Sequence, residues 1–170
     1  MRAVQIRLAL LCATAFLAAC SSDVSPPTGG TSGPTQFALA RVGGDTLPSL
    51  DSGDSVASTT GVEYREIYLE RGTLTLLQDT QARFETLLHY AQYAVTPTAD
   101  GRRLDLRGVL DFRDHGTVTR DAQGNLLLTS DLDPSVVHVA SADSGGYTVQ
   151  YRFSNITQPI ALFFRSQGAR

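Results

Sequence analysis

The chain has 170 residues, 17 of them acidic and 14 basic, for a formal net charge of −3. Every basic residue is arginine, and the absence of lysine excludes a phosphate loop ending in Gly-Lys, a Ser-x-x-Lys nucleophile and a Schiff-base amine. An acidic chain without a basic block lacks the clustered cations that neutralise phosphates, so no nucleic-acid partner is expected.

At the N-terminus, Arg2 and Arg7 precede an apolar run, Leu8 to Leu17, that closes in Leu17-Ala18-Ala19-Cys20. A basic start, an apolar stretch and small residues before a cut mark a secretory signal peptide over residues 1–19. The run is too short for a spanning helix, which needs about 20 apolar residues. Leu17-Ala18-Ala19-Cys20 resembles the lipobox of bacterial lipoproteins, an aliphatic residue and two small ones before Cys. The resemblance implies cleavage before Cys20, acyl chains on Cys20 and a lasting membrane anchor, because a single chain holds only marginally. It also implies the cell envelope. Ser21, where inner-membrane members carry Asp, favours the outer membrane facing the periplasm. Cleavage would leave 12 arginines against 17 carboxylates, a net charge of −5. With Cys12 discarded and Cys20 acylated, no disulfide or thiolate metal site is expected within one chain.

Residues 20–35 follow as a Ser/Thr/Pro/Gly tether that cannot bury a core. Residues 36–170 suffice for one domain. The polar stretch Ser49 to Gly61 reads as a mobile loop. Strands are expected at Phe37 to Val42, Glu63 to Glu70, Thr73 to Leu77, Leu126 to Ser130, Val136 to Ser141 and Ile156 to Arg165. Alternation is clearest in two places. Leu104, Leu106, Leu110 and Phe112 oppose Asp105, Arg107, Asp111 and Arg113, while Tyr147, Val149, Tyr151 and Phe153 oppose Thr148, Gln150 and Arg152. Turns are expected at Glu70-Arg71-Gly72, Ala99-Asp100-Gly101, Ala122-Gln123-Gly124-Asn125 and Asp143-Ser144-Gly145-Gly146. From Arg83 to Val95 apolar residues fall on both faces. Helical spacing of Phe84, Leu87, Leu88 and Ala91 leaves a helix open, whereas a strand with a bulge near Leu87-Leu88 accounts for the whole stretch.

The fold class is therefore all-β, an antiparallel meander. Closing it into a barrel of about eight strands removes exposed edges and leaves an interior just wide enough for packed side chains or one small ligand. Phe37-Ala38-Leu39-Ala40-Arg41-Val42-Gly43-Gly44-Asp45-Thr46-Leu47-Pro48 resembles the opening strand and turn of small bacterial lipoproteins with lipocalin-like domains, and Gly72-Thr73-Leu74-Thr75-Leu76 is similar to the strand that follows in them. The likeness runs loosely to Phe163-Phe164-Arg165 and implies a lipocalin-like barrel. The Gly-x-Trp of true lipocalins is missing, since the chain has no Trp.

Chemistry-bearing patterns are sparse. No Gly-x-Ser-x-Gly or His-Glu-x-x-His occurs, and His89, His115 and His138 lack metal-ligand spacing. No catalytic residues, metal or cofactor are assigned, and the chain reads as non-enzymatic. Asp111-Phe112-Arg113-Asp114-His115-Gly116 gathers four ionisable groups but reads as a solvated hairpin end. Asp131-Leu132-Asp133-Pro134 and Asp51-Ser52-Gly53-Asp54-Ser55 read as turns in which Asp caps its own backbone. Two functions stay open. One is a binding module for a small apolar or amphipathic ligand, using Tyr64, Tyr68, Phe112, Tyr147, Tyr151 and Phe153 as inward aromatics. The other is a structural or protein-interaction module of the envelope, with those aromatics filling the barrel.

Overall fold

Two-residue alternation bounded by tight turns builds ten strands in the computed structural model, which describes residues 33–59, 61–78, 81–153 and 157–167. The signal peptide, Cys20 and the tether as far as residue 32 lie outside the described residues. The strands are β1 (Thr35–Val42), β2 (Asp45–Thr46), β3 (Ser49–Ser58), β4 (Gly61–Leu77), β5 (Arg83–Thr98), β6 (Gly101–Arg120), β7 (Leu126–Ser130), β8 (Val137–Asp143), β9 (Gly146–Tyr151) and β10 (Ile160–Ser166). All neighbours are antiparallel, in the order β2-β1-β10-β9-β8-β7-β6-β5-β4-β3. Pairing of β1 with β4, Phe37 opposite Leu74, joins the sheet to itself. Eight strands, β1 and β4 to β10, thus form a ring that closes as a barrel. The expected all-β meander and its closure hold, and no helix occurs among the described residues.

The ring is filled from its own strands. Leu74, Phe84, Leu88, Leu128, Ala140, Val149, Tyr151, Leu162 and Phe164 are all within 1% of complete burial and form one cluster. Each large apolar side chain so buried contributes about 1.5–3 kcal/mol. Neighbouring strands approach too closely for a side chain at Gly116, where a Cβ would come within 1.9 Å of the Thr129 carbonyl oxygen and 3.0 Å of the Phe84 ring.

Three expectations change here, for one reason. The bend at Glu70-Arg71-Gly72 is not a turn: β4 runs through it, and the pairing of Leu69 with Tyr90 and Arg71 with His89 leaves Glu70 as a bulge. The bulge expected near Leu87-Leu88 is likewise absent from β5. Its partners carry the extra residues instead, Glu70 in β4 and Arg107 in β6. Finally, Ser49 to Gly61 is no loop, because β3 pairs along it with the first part of β4 and includes the Asp51-to-Ser55 stretch read as a turn.

These long strands carry four segments past the ring. Residues 49–58, 61–69, 90–98 and 101–111 make a four-stranded extension. Paired residues share a face, so each face of the barrel wall can be followed into the extension. The inner face continues through Ile67, Arg65 and Glu63 on β4 and through Gln92 and Ala94 on β5. The outer face continues through Tyr68, Glu66, Tyr64 and Val62, and through Ala91, Tyr93 and Val95.

Candidate functional site

Inside the ring one polar group organises its neighbours. Asp114 follows Phe112 by two residues and therefore points inward, not into a solvated hairpin end as its sequence neighbourhood suggested. Its carboxylate accepts from Ser130 Oγ at 2.6 Å, from His138 Nε2 at 2.8 Å and from the Tyr151 hydroxyl at 2.8 Å. The Arg152 backbone N–H donates to His138 Nδ1 at 3.0 Å, so the ring proton sits on Nε2. Asp114, Ser130 and His138 are all buried. Burial alone would raise the Asp114 pKa, but the three donors outweigh it and hold the carboxyl below its usual range. Burial, reinforced by the Asp114 charge, drives the Tyr151 hydroxyl far upward. Ser, His and Asp meet here in the wrong order for nucleophilic catalysis. The serine donates to the aspartate, and the imidazole nitrogen that could act as a base is occupied by backbone. The cluster ties β6, β7, β8 and β9 together.

Four of the six aromatics named from sequence reach the barrel. Tyr151 stacks on His138 with ring centroids 3.9 Å apart, and Phe112 and Phe153 pack against Tyr151 and each other. Tyr147 meets Phe37 edge-on. Tyr64 and Tyr68 do not point inward. They follow the outer face of the extension, because the Glu70 bulge reverses the alternation before it. Beside the aromatics a cleft of about 140 Å³ opens at the barrel mouth, lined by Val42, Leu69, Tyr90, Phe153, Ile160 and Leu162 among others. Burial, with a contribution from Asp51, pushes the Tyr90 hydroxyl there up to about 12.

The extension has the opposite polarity. Its inner face is charged: Glu63 accepts from Arg65 Nε at 2.6 Å and from Arg107 Nη2 at 2.7 Å, and these donors, Arg107 foremost, hold its carboxyl below the ordinary range. The outer face is apolar and open to solvent. It carries Leu50, Val62, Tyr64, Leu104, Leu106 and Val109, with Val62 78%, Leu106 57% and Val109 62% exposed. At its centre Glu66 accepts from Arg102 Nη1 at 2.7 Å and from the Tyr68 hydroxyl at 2.6 Å. That hydrogen bond, and then burial, raises the Tyr68 pKa. The Tyr64 ring lies against Gly53, where a Cβ would meet its hydroxyl at 2.3 Å.

The sequence pattern of β6 did not reveal this face. Leu104, Leu106, Leu110 and Phe112 share one parity, but the Arg107 bulge puts the first two on the outer face and the last two on the inner one, where Phe112 packs in the barrel and Leu110, before it, stays 67% exposed. A signal was nevertheless present in β5, whose apolar residues change phase at Tyr90-Ala91: Phe84, Leu88 and Tyr90 serve the barrel, and Ala91, Tyr93 and Val95 the outer face. Compared with protein-family models, curated proteins and solved structures, the chain matches none of them.

Proposed function

We propose that this chain is a non-catalytic interaction module of the bacterial cell envelope, anchored by lipid at Cys20, whose barrel is a packed support and whose extension is the working surface. The observation that carries the reading is the solvent-open apolar face of the extension, since contiguous exposed apolar surface on a folded domain marks an interaction site. The barrel interior supports the same reading, because its aromatics pack on one another and on the Asp114 cluster.

Binding of a small apolar ligand is the second reading, favoured by the apolar lining of the barrel-mouth cleft. At about 140 Å³ that cleft falls short of the roughly 300–1,000 Å³ of ordinary ligand sites. It would seat one small apolar group and not a whole lipid.

Photo-crosslinking in intact cells tests the proposal. A benzophenone side chain placed at Val62 or Val109 should give a discrete adduct. The same group at Leu132, an exposed apolar residue between β7 and β8, should not. Adducts from Leu132 alone, or none from the extension, would overturn it. Saturable binding of an apolar dye that Phe153→Ala abolishes would favour the ligand reading instead.

A further inference from the structure

The extension has two open edges of different character. The free edge of β3 is polar and interrupted: Asp51 bulges out of register, and Ser52, Gly53, Asp54 and Ser55 follow. Those are the features that discourage strand addition. The other edge is the first part of β6. Among the described residues, Gly101–Arg107 pairs with β5 on one side and with no strand on the other, because β7 joins β6 only at 116–120. Its exposed side chains include Leu104 and Leu106. An edge of this kind is a template for another strand.

We propose that a second copy of this chain occupies that edge, the two β6 strands pairing antiparallel about a two-fold axis at Leu104. The inference rests on the interaction-module reading and names the first partner of its working surface. Two constraints select the register. Paired residues must share a face, so a two-fold axis perpendicular to the sheet must place some residue opposite itself. Centring on Arg103 sets two guanidinium groups face to face. Centring on Asp105 opposes two carboxylates and also pairs Arg103 with Arg107. Centring on Leu106 runs the pairing through the Arg107 bulge, beyond which the faces no longer match. Centring on Leu104 pairs Leu104 with itself and sets Arg103 opposite Asp105 twice, once on each side of the axis. Arg102 then lies opposite Leu106, with its guanidinium held on Glu66 at 2.7 Å and its aliphatic stem free to cover the leucine. Leu104 and Leu106 of both copies gather on the outer face, and the bulge ends the ladder.

The first described strand starts far from this edge. Thr35 pairs with Leu76 near the end of β4, whereas the extension begins at Gly61, fifteen residues earlier along the same strand. At about 3.3 Å per residue the described chain enters the barrel roughly 50 Å from the tip of the extension. The two copies join tip to tip, and their barrels lie at opposite ends.

Two sets of variants of the full chain test the pairing. In the first, Arg103→Asp or Asp105→Arg alone sets like charges opposite each other and should convert a particle of twice the chain mass to single chains. The double variant restores both cross-strand pairs and also preserves, reversed, the Arg103–Asp105 contact of 3.0 Å within each strand. It should regain the dimer. Both sites of change are on the free edge strand, and circular dichroism should show an unaltered fold. In the second, Leu104→Cys faces its own copy with Cα atoms about 4.5–5.5 Å apart, within disulfide reach. It should yield a disulfide-linked dimer in cells, whereas the wild type should not. Val109→Cys, more exposed and on the same face, would lie about 34 Å from its counterpart, ten residues out of register, and should not. Single chains in the wild type at tens of micromolar would overturn the inference, as would a dimer indifferent to the charge variants or linked as readily through Val109→Cys. Photo-adducts of a different protein at Val62 and Val109, with the chain itself monomeric, would refute the second copy and leave the interaction-module reading intact. Absence of both adduct and dimer would refute both.

Discussion

The barrel and its extension are made by the same strands, yet they solve opposite problems. In β5, Phe84, Thr86 and Leu88 lie buried inside the ring, and seven residues further along Val95 belongs to a face turned to solvent. β4 and β6 change sides through single-residue bulges at Glu70 and Arg107, while β5 changes its sequence phase at Tyr90-Ala91. The inner surface is thus apolar in the barrel and charged in the extension, and the outer surface is the reverse. A strand needs no break to divide labour. One inserted residue exchanges its faces.

The largest test of the contrast is a charge placed on each side of one barrel strand. Val149→Asp buries a carboxylate without a partner and should destabilise by several kcal/mol in urea melts. Gln150→Asp, next to it on the exposed face, should change stability by about 0.5 kcal/mol or less. Equal losses would dissolve the assignment of faces.

Truncation of Tyr151 comes next. It is 1% exposed, stacked on His138 and bonded to Asp114, so Tyr151→Ala opens a void in a filled barrel and should cost about 3–5 kcal/mol. A cost well below that range would mean that the interior is hollow at this point, as the ligand reading requires.

Acid sharpens the same comparison with a smaller effect. Because the folded-state pKa of Asp114 lies below its ordinary 3.8, its ionised form stabilises the barrel at neutral pH, and that contribution disappears as pH falls through the folded pKa. Wild-type stability should therefore decline as pH drops below about 4. Asp114→Asn should be less stable at pH 7 and show a shallower decline. Parallel acid profiles for the two would remove Asp114 from the account.

The smallest effect on stability belongs to the extension. Leu106→Asp should leave the urea midpoint almost unchanged, within about 0.5 kcal/mol, while abolishing adducts and dimer. The proposed anchor can be tested apart from all of this by Cys20→Ser, which should release the chain from membranes or leave its signal uncleaved. Continued fatty-acid labelling of that variant would refute the lipobox.

Much of the barrel was legible because burial on one face writes itself as alternation: Tyr147 to Phe153 reads directly as an inward stripe, and the turns at Ala122 to Asn125 and Asp143 to Gly146 sit where glycine permits them. The extension was not. A bulge leaves no mark in composition, so Leu104 and Leu106 read as core beside Leu110 and Phe112. Glu70-Arg71-Gly72 has the chemistry of a turn and becomes a bulge only because β1 and β5 pair with β4 beyond it. The Asp114 cluster was hidden differently. Its carboxylate lies between Arg113 and His115, and only parity with Phe112 shows that it faces inward. Its partners Ser130, His138 and Tyr151 come from three other strands.

Hydroxyl-radical footprinting of the dilute purified chain tests the reversal of polarity most directly, because it reads side-chain exposure residue by residue in the unaltered protein. The account predicts rapid oxidation of Leu106, Val109 and Tyr64 on the extension, with Leu128, Leu162 and Phe164 of the barrel protected until the chain unfolds. Protection of Leu106 and Val109 equal to that of Leu128 would contradict it, for the apolar face would then be covered by the chain itself and unable to meet a partner.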